Sequence, residues 1–346
     1  MRACVIYYGS SNGVMKKIGF TTTIPVEIIL SAGHIPVDLN NIFVAHKSPD
    51  ELIETAHGDG LPRNCCSWIK GLYSVGVKLK AVDEVIAVTN GDCSNTHALA
   101  ELYSEVGIPV HTFSFPYNEP NPYEALKYQM EHLAISLGTT LEQTYKYCEI
   151  TDKIRKKLHK IDELTYKGEI TGFENHLWLV SSSDFNSDLE TFSKSLDNLI
   201  CDEATRTRTN KNIRIGYIGV PPIMPSIYDF IESKNCKVVF NEVQRQFAIP
   251  SYNTADYVSR YIEYTYPYGV ADRIKDIKTQ VELRQIDGII HYVQSFCYRQ
   301  IQDTLIKKHI NIPVLTIEGD MPGNLDGRTK IRIDSFIEML AGKKNK

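Results

Sequence analysis

The sequence lacks the patterns by which several large protein classes are recognised. No apolar run approaches the roughly 18 residues that a membrane-spanning helix needs. The first residues, MRACVIYYGSSNG, contain no apolar block with a cleavage site, so we expect no secretory signal peptide. Lysine and arginine number 38 against 42 for aspartate and glutamate, which argues against a nucleic-acid-binding protein. These absences predict a cytoplasmic protein that binds neither membranes nor nucleic acids.

Several short motifs are missing as well. No C-x-x-C pair occurs, which excludes a zinc ribbon, a thioredoxin motif and a ferredoxin-type run. Neither G-x-x-x-x-G-K-[ST] nor G-x-G-x-x-G occurs, so the chain has no phosphate-binding loop of its own. The chain nevertheless has 8 cysteines, which in a reducing compartment are more often buried, catalytic or metal-bound than paired. Any metal site must therefore be assembled from thiols far apart in the sequence.

Short strands alternate with helices in two stretches of the chain, separated by a stretch of helical periodicity. This alternation predicts an α/β fold of two Rossmann-like domains with parallel sheets, plus helical N-terminal and connecting segments. TTTIPVEIILSAG is predicted as the first helix, with a threonine N-cap and Gly33 as its stop. The predicted segments are an N-terminal helical segment, a first α/β domain, a helical connection and a second α/β domain with a C-terminal helix, at 1–35, 36–118, 119–210 and 211–346.

The two predicted domains share an internal repeat. An aspartate lies ten residues before Cys93, and another lies ten residues before Cys297. An Ile-Pro-Val triplet begins fifteen residues after each of these cysteines. Each copy has the order strand, cysteine, helix, strand. Two matching spacings in the same element order indicate a duplicated unit.

Cys93 and Cys297 each follow a predicted strand, and Cys65 and Cys66 begin a predicted helix in LPRNCCSWIKG. Ligands of open parallel sheets bind beyond the carboxyl ends of the strands, where the start of a following helix stabilises a thiolate. Three thiolates from separate segments suit an iron–sulfur cluster. We therefore predict Cys66, Cys93 and Cys297 as ligands of a 4Fe–4S cluster with one iron left open.

The simpler interpretation is that a cysteine is a small buried hydrophobic residue. We adopt this interpretation for Cys4, Cys201 and Cys236. Cys236, for example, begins the predicted strand CKVVF, where packing alone explains a cysteine. Both interpretations stay open for Cys148. For the histidines beside the predicted ligands, His97 and His291, a structural role is favoured over proton transfer.

One set of motifs resembles a known family: TTTIPVEIILSAGHIPV, NCCSWIKG, NGDCSNTH, HYVQSFC and IPVLTIEGDMPG followed by RTKIRIDSFIEML. Their order is similar to that in the component D subunits of 2-hydroxyacyl-CoA dehydratases, which form one family with the benzoyl-CoA reductase subunits. The resemblance implies two Rossmann-like domains and a 4Fe–4S cluster held by Cys66, Cys93 and Cys297. It also implies a separate ATP-hydrolysing activator protein that donates a low-potential electron. Glu27 matches a family glutamate, although a first-turn carboxylate explains it equally well.

Cys65 is additional to the family pattern. With this additional cysteine, the chain resembles a stand-alone branch of the family whose members carry a double-cubane 8Fe–9S cluster. Such a cluster needs about three thiolates per half, so Cys65 and two of Cys148, Cys236 and Cys4 would have to join.

The leading hypothesis is an oxygen-sensitive iron–sulfur enzyme of this double-cubane type, a homodimer that reduces a small molecule with electrons from the activator. One alternative is a subunit of a 2-hydroxyacyl-CoA dehydratase, paired with a related subunit. Another is an iron–sulfur electron carrier without catalytic activity. The sequence indicates neither catalytic residues nor the substrate.

Overall fold

Two parallel four-stranded sheets form the centre of the protein in the computed structural model, which describes residues 14–203, 212–254 and 256–344. The strand orders are β2-β1-β3-β4 in the first sheet and β6-β5-β7-β8 in the second. The strands are β1 (Lys17–Phe20), β2 (Ile35–Asp38), β3 (Glu84–Asn90), β4 (Val110–Ser114), β5 (Ile213–Gly219), β6 (Cys236–Asn241), β7 (Gly288–Gln294) and β8 (Val314–Gly319). The predicted α/β fold with two parallel sheets is confirmed.

The internal repeat is visible in the pairing of the strands. β3 pairs Val85 with Val110 of β4, and β7 pairs Ile289 with Val314 of β8, so the separation along the chain is the same in both sheets. β3 and β7 also occupy the same position in the two strand orders. The two cysteines that follow these strands therefore have equivalent places in the two halves.

The repeated aspartates are structural. The Asp83 carboxylate accepts a hydrogen bond from the Lys17 N–H at 2.7 Å, and the Asp287 carboxylate accepts one from the Arg214 N–H at 2.8 Å. In return, each aspartate donates its own N–H to the carbonyl of the same partner. These reciprocal bonds hold the start of β3 against β1 and the start of β7 against β5. The two aspartates therefore occupy equivalent places before the strands that lead to Cys93 and Cys297.

Helices cover the sheets and form the connection between them. In the first half they are α1 (Glu27–Ser31), α2 (Leu39–Ala45), α3 (Pro49–Gly58), α4 (Ser67–Val77) and α5 (Thr96–Glu105), and in the connection α6 (Pro122–Ser136), α7 (Leu141–Lys167), α8 (Gly172–Val180) and α9 (Leu189–Glu203). In the second half they are α10 (Ser226–Glu232), α11 (Glu242–Phe247), α12 (Tyr257–Ile262), α13 (Val270–Leu283), α14 (Gln302–His309) and α15 (Gly327–Lys344). Within the described ranges, no helix is both long and apolar enough to cross a membrane.

The N-terminal segment differs from the prediction of a helical stretch over residues 1–35. Its described part contains β1, which pairs with both β2 and β3, and only the five residues of α1. A strand of four residues is too short to show a period in the sequence, and pairing on both sides stabilises it. The predicted threonine cap is also wrong, because Val26 precedes α1 and no side chain caps the helix. Gly33, with a φ of 75°, follows the helix as predicted.

A buried ion pair joins α1 to the helical connection. Arg155 on α7 contacts the Glu27 carboxylate at 2.5 Å, and both side chains are almost inaccessible to solvent. The hydroxyl groups of Thr151, Tyr257 and Tyr261 also donate to this carboxylate, at 2.8 to 3.0 Å. Although burial raises the pKa of Glu27, the Arg155 charge and these contacts lower it below its ordinary value. Glu27 is therefore a structural anion that connects three segments.

We expect Arg155→Met to destabilise the fold by about 3–5 kcal/mol, because it leaves the Glu27 charge buried without a cation. Chemical unfolding of the metal-free protein measures this loss. Lys153→Met, at an exposed position on the same helix, is the matched control and should change the unfolding free energy by less than about 0.5 kcal/mol. Equal stability of the two variants would contradict the role of the ion pair.

Candidate functional site

A cavity of about 460 Å³ lies at the carboxyl ends of the strands of both sheets. Parallel strands bring their carboxyl ends to one edge of a sheet, which is where open α/β folds bind ligands. The wall includes one residue at or just after the end of each of five strands: Thr21, Asp38, Asp92, Val220 and Gln294. Residues of α2, the start of α4, the second half of α8 and the segment that follows α8 also contribute to it.

The structure brings the three predicted ligands within electrostatic reach of one another beside this cavity. Cys66 directly precedes α4, Cys93 lies three residues before α5, and Cys297 precedes a 3₁₀ turn at Tyr298–Ile301. Cys66 and Cys297 line the cavity. Beyond the effect of burial, which is largest, Cys93 and Cys297 each raise the pKa of Cys66, and Cys297 also raises that of Cys93. The sheets thus place thiols from three distant segments within electrostatic reach of one another.

Burial raises the pKa of the Cys66 and Cys93 thiols to about 12. Backbone N–H groups of Trp68 and Ile69 lower the pKa of Cys66, as predicted for a thiol at a helix start, but less than burial raises it. Burial likewise raises the pKa of Cys297. Backbone groups at the start of the following helix or turn therefore lower the pKa of each thiol, as predicted, while burial raises it by more.

Cys65 is half-buried beside Cys66, and its charge raises the pKa of Cys93. Burial raises the pKa of Cys65 itself, and the Lys70 ammonium lowers it. Lys70 is buried, donates to the Arg63 carbonyl at 3.2 Å and lies 3.0 Å from His57 Nε2. A fourth thiol and a buried cation therefore adjoin the three predicted ligands.

Cys148, Cys201 and Cys236 do not line the cavity. Cys148 is buried in α7, where its thiol contacts the Thr144 carbonyl at 3.7 Å. Cys236 is buried at the start of β6, the end opposite the cavity, as expected for a packing residue. Cys201 is exposed on α9, so its predicted burial is wrong. Cys4 lies outside the described residues.

The arrangement of donors suits a cluster better than a single ion. In the described part of the chain, no group of three or more histidine, cysteine or acidic side chains is arranged to bind one metal ion. A 4Fe–4S cluster places each thiolate on a different iron, so its ligands surround an inorganic core instead of meeting at one point. Buried thiols from three segments are therefore compatible with a cluster.

Sequence reasoning missed three carboxylates on the cavity wall. Asp92, next to Cys93, has its pKa raised to about 6 by burial, despite the Arg299 charge and the hydrogen bonds that lower it. Its position directly before a predicted ligand was a usable signal. The other two, Asp38 and Asp184, are far apart in the sequence and adjacent in the structure. Nothing in the sequence of the helical connection marked Asp184.

Asp38 and Asp184 form a buried acidic pair. The Asp184 carboxylate accepts the Asp38 N–H at 2.8 Å, and the Asp38 carboxylate accepts the Ser183 hydroxyl at 2.6 Å. Burial, together with the Asp38 charge, raises the pKa of Asp184 to about 7. Burial also raises the pKa of Asp38, although hydrogen bonds from Ser183 and Asn40 oppose it. The pair can hold a proton at the cavity wall near neutral pH.

The two histidines named from the sequence do not line the cavity. His291 is buried on β7, and its Nδ1 lies 2.7 Å from an Asp303 carboxylate oxygen. It borders a small separate recess beside Cys297. His97 is exposed in the first turn of α5. These positions agree with the favoured structural role.

Comparison with known proteins links the chain to dehydratase components. The family model described as 2-hydroxyglutaryl-CoA dehydratase, D-component, matches residues 21–340. The putative dehydratase subunit YjiM of Escherichia coli strain K12 is 24% identical over 360 residues, which cover 93% of this chain and 90% of YjiM. The SBP FpvC of Pseudomonas aeruginosa in complex with Ni²⁺ aligns with 95% of this chain and 98% of its own at 12% identity, with a TM-score of 0.23, which is too low to bear on fold or ligand.

We expect the acidic pair to make stability depend on pH. The folded pKa of Asp184, about 7, lies above the ordinary value of an unfolded aspartate, so stability is fully present below the unfolded pKa and is lost as the pH rises toward 7. Asp184→Asn should reduce the fall in unfolding free energy between about pH 5 and pH 7.5. Denaturant unfolding across this range measures the slope. Glu105→Gln, at an exposed position, should keep the wild-type slope, and an unchanged slope in Asp184→Asn would contradict the assignment.

Proposed function

The chain belongs to the 2-hydroxyglutaryl-CoA dehydratase D-component family, and on that premise we propose that it is a subunit of an enzyme that eliminates water from a 2-hydroxyacyl-CoA thioester at an iron–sulfur cluster. The observation that carries this proposal is that Cys66 and Cys297 line one cavity and that Cys93 lies within electrostatic reach of both. Thiols from both halves of the duplicated fold meet where ligands of such sheets bind.

Cys66, Cys93 and Cys297 would hold a 4Fe–4S cluster. When bound, such a cluster supplies a low-potential electron and an iron that is open to a substrate oxygen. The residues of the chain would bind and orient the cluster. Backbone N–H groups of Trp68 and Ile69 donate to the Cys66 sulfur. Hydrogen bonds to ligand sulfurs tune the potential of a cluster.

The electron source would be a separate protein that hydrolyses ATP. The chain carries neither G-x-x-x-x-G-K-[ST] nor G-x-G-x-x-G, which is consistent with ATP hydrolysis by a partner. In the dehydratase arrangement, a second related subunit would join this one. The homodimer expected for the stand-alone branch is the alternative assembly.

The positions of the thiols favour one cubane over two. A double-cubane cluster needs about six thiolates, and the described thiols that line the cavity or lie within electrostatic reach of those that do are Cys65, Cys66, Cys93 and Cys297. The cavity beside these thiols also favours catalysis over electron transfer alone, because a carrier needs no space for a substrate.

Anaerobically purified protein is expected to contain about four irons and four sulfides per chain. Cys66→Ser, Cys93→Ser and Cys297→Ser should each lower the iron content and the visible absorbance by more than half, because each removes a ligand that no other described thiol at the cavity replaces without rearrangement. Iron and acid-labile sulfide analysis measures both.

Two further variants serve as references. Cys201→Ser, on the exposed face of α9, should retain all the iron. Cys65→Ser distinguishes the cluster types: retention of about four irons supports the single cubane, whereas a loss from about eight irons would support the double cubane. Full iron content in Cys93→Ser and Cys297→Ser would overturn the proposed site.

A further inference from the structure

We propose that this cavity accepts an uncharged, predominantly apolar acyl group and rejects an acyl group that ends in a carboxylate. The inference deepens the proposed function, on which it rests, by naming the class of 2-hydroxyacyl substrate. The proposed acyl group differs from that of the substrate in the family description, 2-hydroxyglutaryl-CoA, which carries a terminal carboxylate. The inference depends on the chemical character of the cavity wall.

Most of that wall is apolar. Aliphatic and aromatic side chains from both halves of the fold face the space beside the thiols, among them Val37, Val44, Trp68, Leu72, Val220 and Phe247. Transfer of an apolar group from water to such a surface contributes about 25 cal/mol for each Å² that is buried. A branched aliphatic or aromatic acyl group would therefore bind favourably here.

The ionisable groups on the wall add no positive charge. Within the described ranges, the cavity is lined by no lysine or arginine, and its acidic residues are Asp38, Asp92 and Asp184. His176 also lines it, but burial lowers the pKa of this histidine to about 3, so its ring is neutral at neutral pH. Recognition of a carboxylate usually relies on an arginine or lysine, and the wall offers neither.

The nearest arginines are engaged outside the cavity. Arg273 forms a buried ion pair with Glu242, with contacts of 2.7 and 2.9 Å. Arg299 lies over the Tyr266 ring, 4.6 Å from its centroid, and donates to the Gly91 carbonyl at 3.3 Å. Both arginines border the small recess beside Cys297, which shares part of its wall with the cavity, but neither arginine lines the cavity itself.

A substrate carboxylate would meet opposing conditions in this cavity. Its charge would lose water contacts, which is costly unless a cation or several hydrogen-bond donors replace them. It would also approach Asp38, Asp92 and Asp184, none of which supplies a positive charge and each of which repels a carboxylate when ionised. Three cluster-bound thiolates would add negative charge to the same wall.

The test compares two thioester probes that differ only in the end group of the acyl tail, which is uncharged in one and anionic in the other. 5-Methylhexanoyl pantetheine and glutaryl pantetheine have tails of the same shape, one ending in an isopropyl group and the other in a carboxylate. Isothermal titration under anaerobic conditions should show that the full-length protein binds the neutral thioester at least about tenfold more tightly. The titration is made with both cluster-loaded and iron-free protein, so that loss of the cluster and loss of the preference are separate results.

A cation placed at the cavity should reverse the preference. Val44 lines the cavity on α2 and is 37% exposed, so a longer polar side chain can be accommodated there. Val44→Arg should strengthen binding of the glutaryl thioester at least about tenfold relative to Val44→Gln, the uncharged control of similar length. The inference is overturned if wild-type protein binds both thioesters equally, binds neither, or if Val44→Arg binds the glutaryl thioester no better than Val44→Gln. If the anaerobically purified protein contains no iron and still prefers the neutral thioester, the cluster proposal fails and the inference about the acyl group stands.

Discussion

The parallel pairing of the strands is the constraint on which the site depends. Because all strands of a parallel sheet run in one direction, their carboxyl ends emerge at one edge, and the loops that follow them meet there. The same strand order in both halves repeats this edge, and reciprocal bonds from Asp83 and Asp287 fix an inner strand in each sheet. Cys93 and Cys297 therefore follow equivalent strands of the two sheets, at the edge where the cavity lies.

Buried charges have different surroundings within the scaffold and at the cavity. In the scaffold, Glu27 pairs with Arg155 and Glu242 pairs with Arg273, and the pKa of each glutamate lies below its ordinary value in spite of burial. At the cavity, the carboxyl groups of Asp38, Asp92 and Asp184 form no ion pair with arginine or lysine among the described residues, and burial raises the pKa of each. A buried carboxyl that lacks a cation retains its proton more readily. In the scaffold, an arginine therefore offsets each of these buried glutamate charges. At the cavity, no paired cation does so within the described ranges, and burial instead favours the protonated form of each carboxyl.

Prediction from the sequence succeeded where a residue follows a strand with a clear pattern. β3 and β7 are continuous apolar runs, so their ends, and with them Cys93 and Cys297, could be located. β1 was missed because four residues carry no period, and its pairing partners are β2 and β3, which lie further along the chain. The threonines predicted to cap a helix instead follow β1, and they line the cavity.

The sequence by itself determined the α/β class, the duplicated unit and the positions of Cys93 and Cys297 after equivalent strands, because each of these depends on local periodicity or on spacing along the chain. Only the tertiary structure decided what surrounds those cysteines. Asp38 lies next to Asp184, which is more than a hundred positions away, and Glu27 is neutralised by Arg155 from another helix. The charge of a buried wall depends on which side chains pack together and on how much water they exclude. Neither the packing partners of a side chain nor the amount of water they exclude can be deduced from its position along the chain.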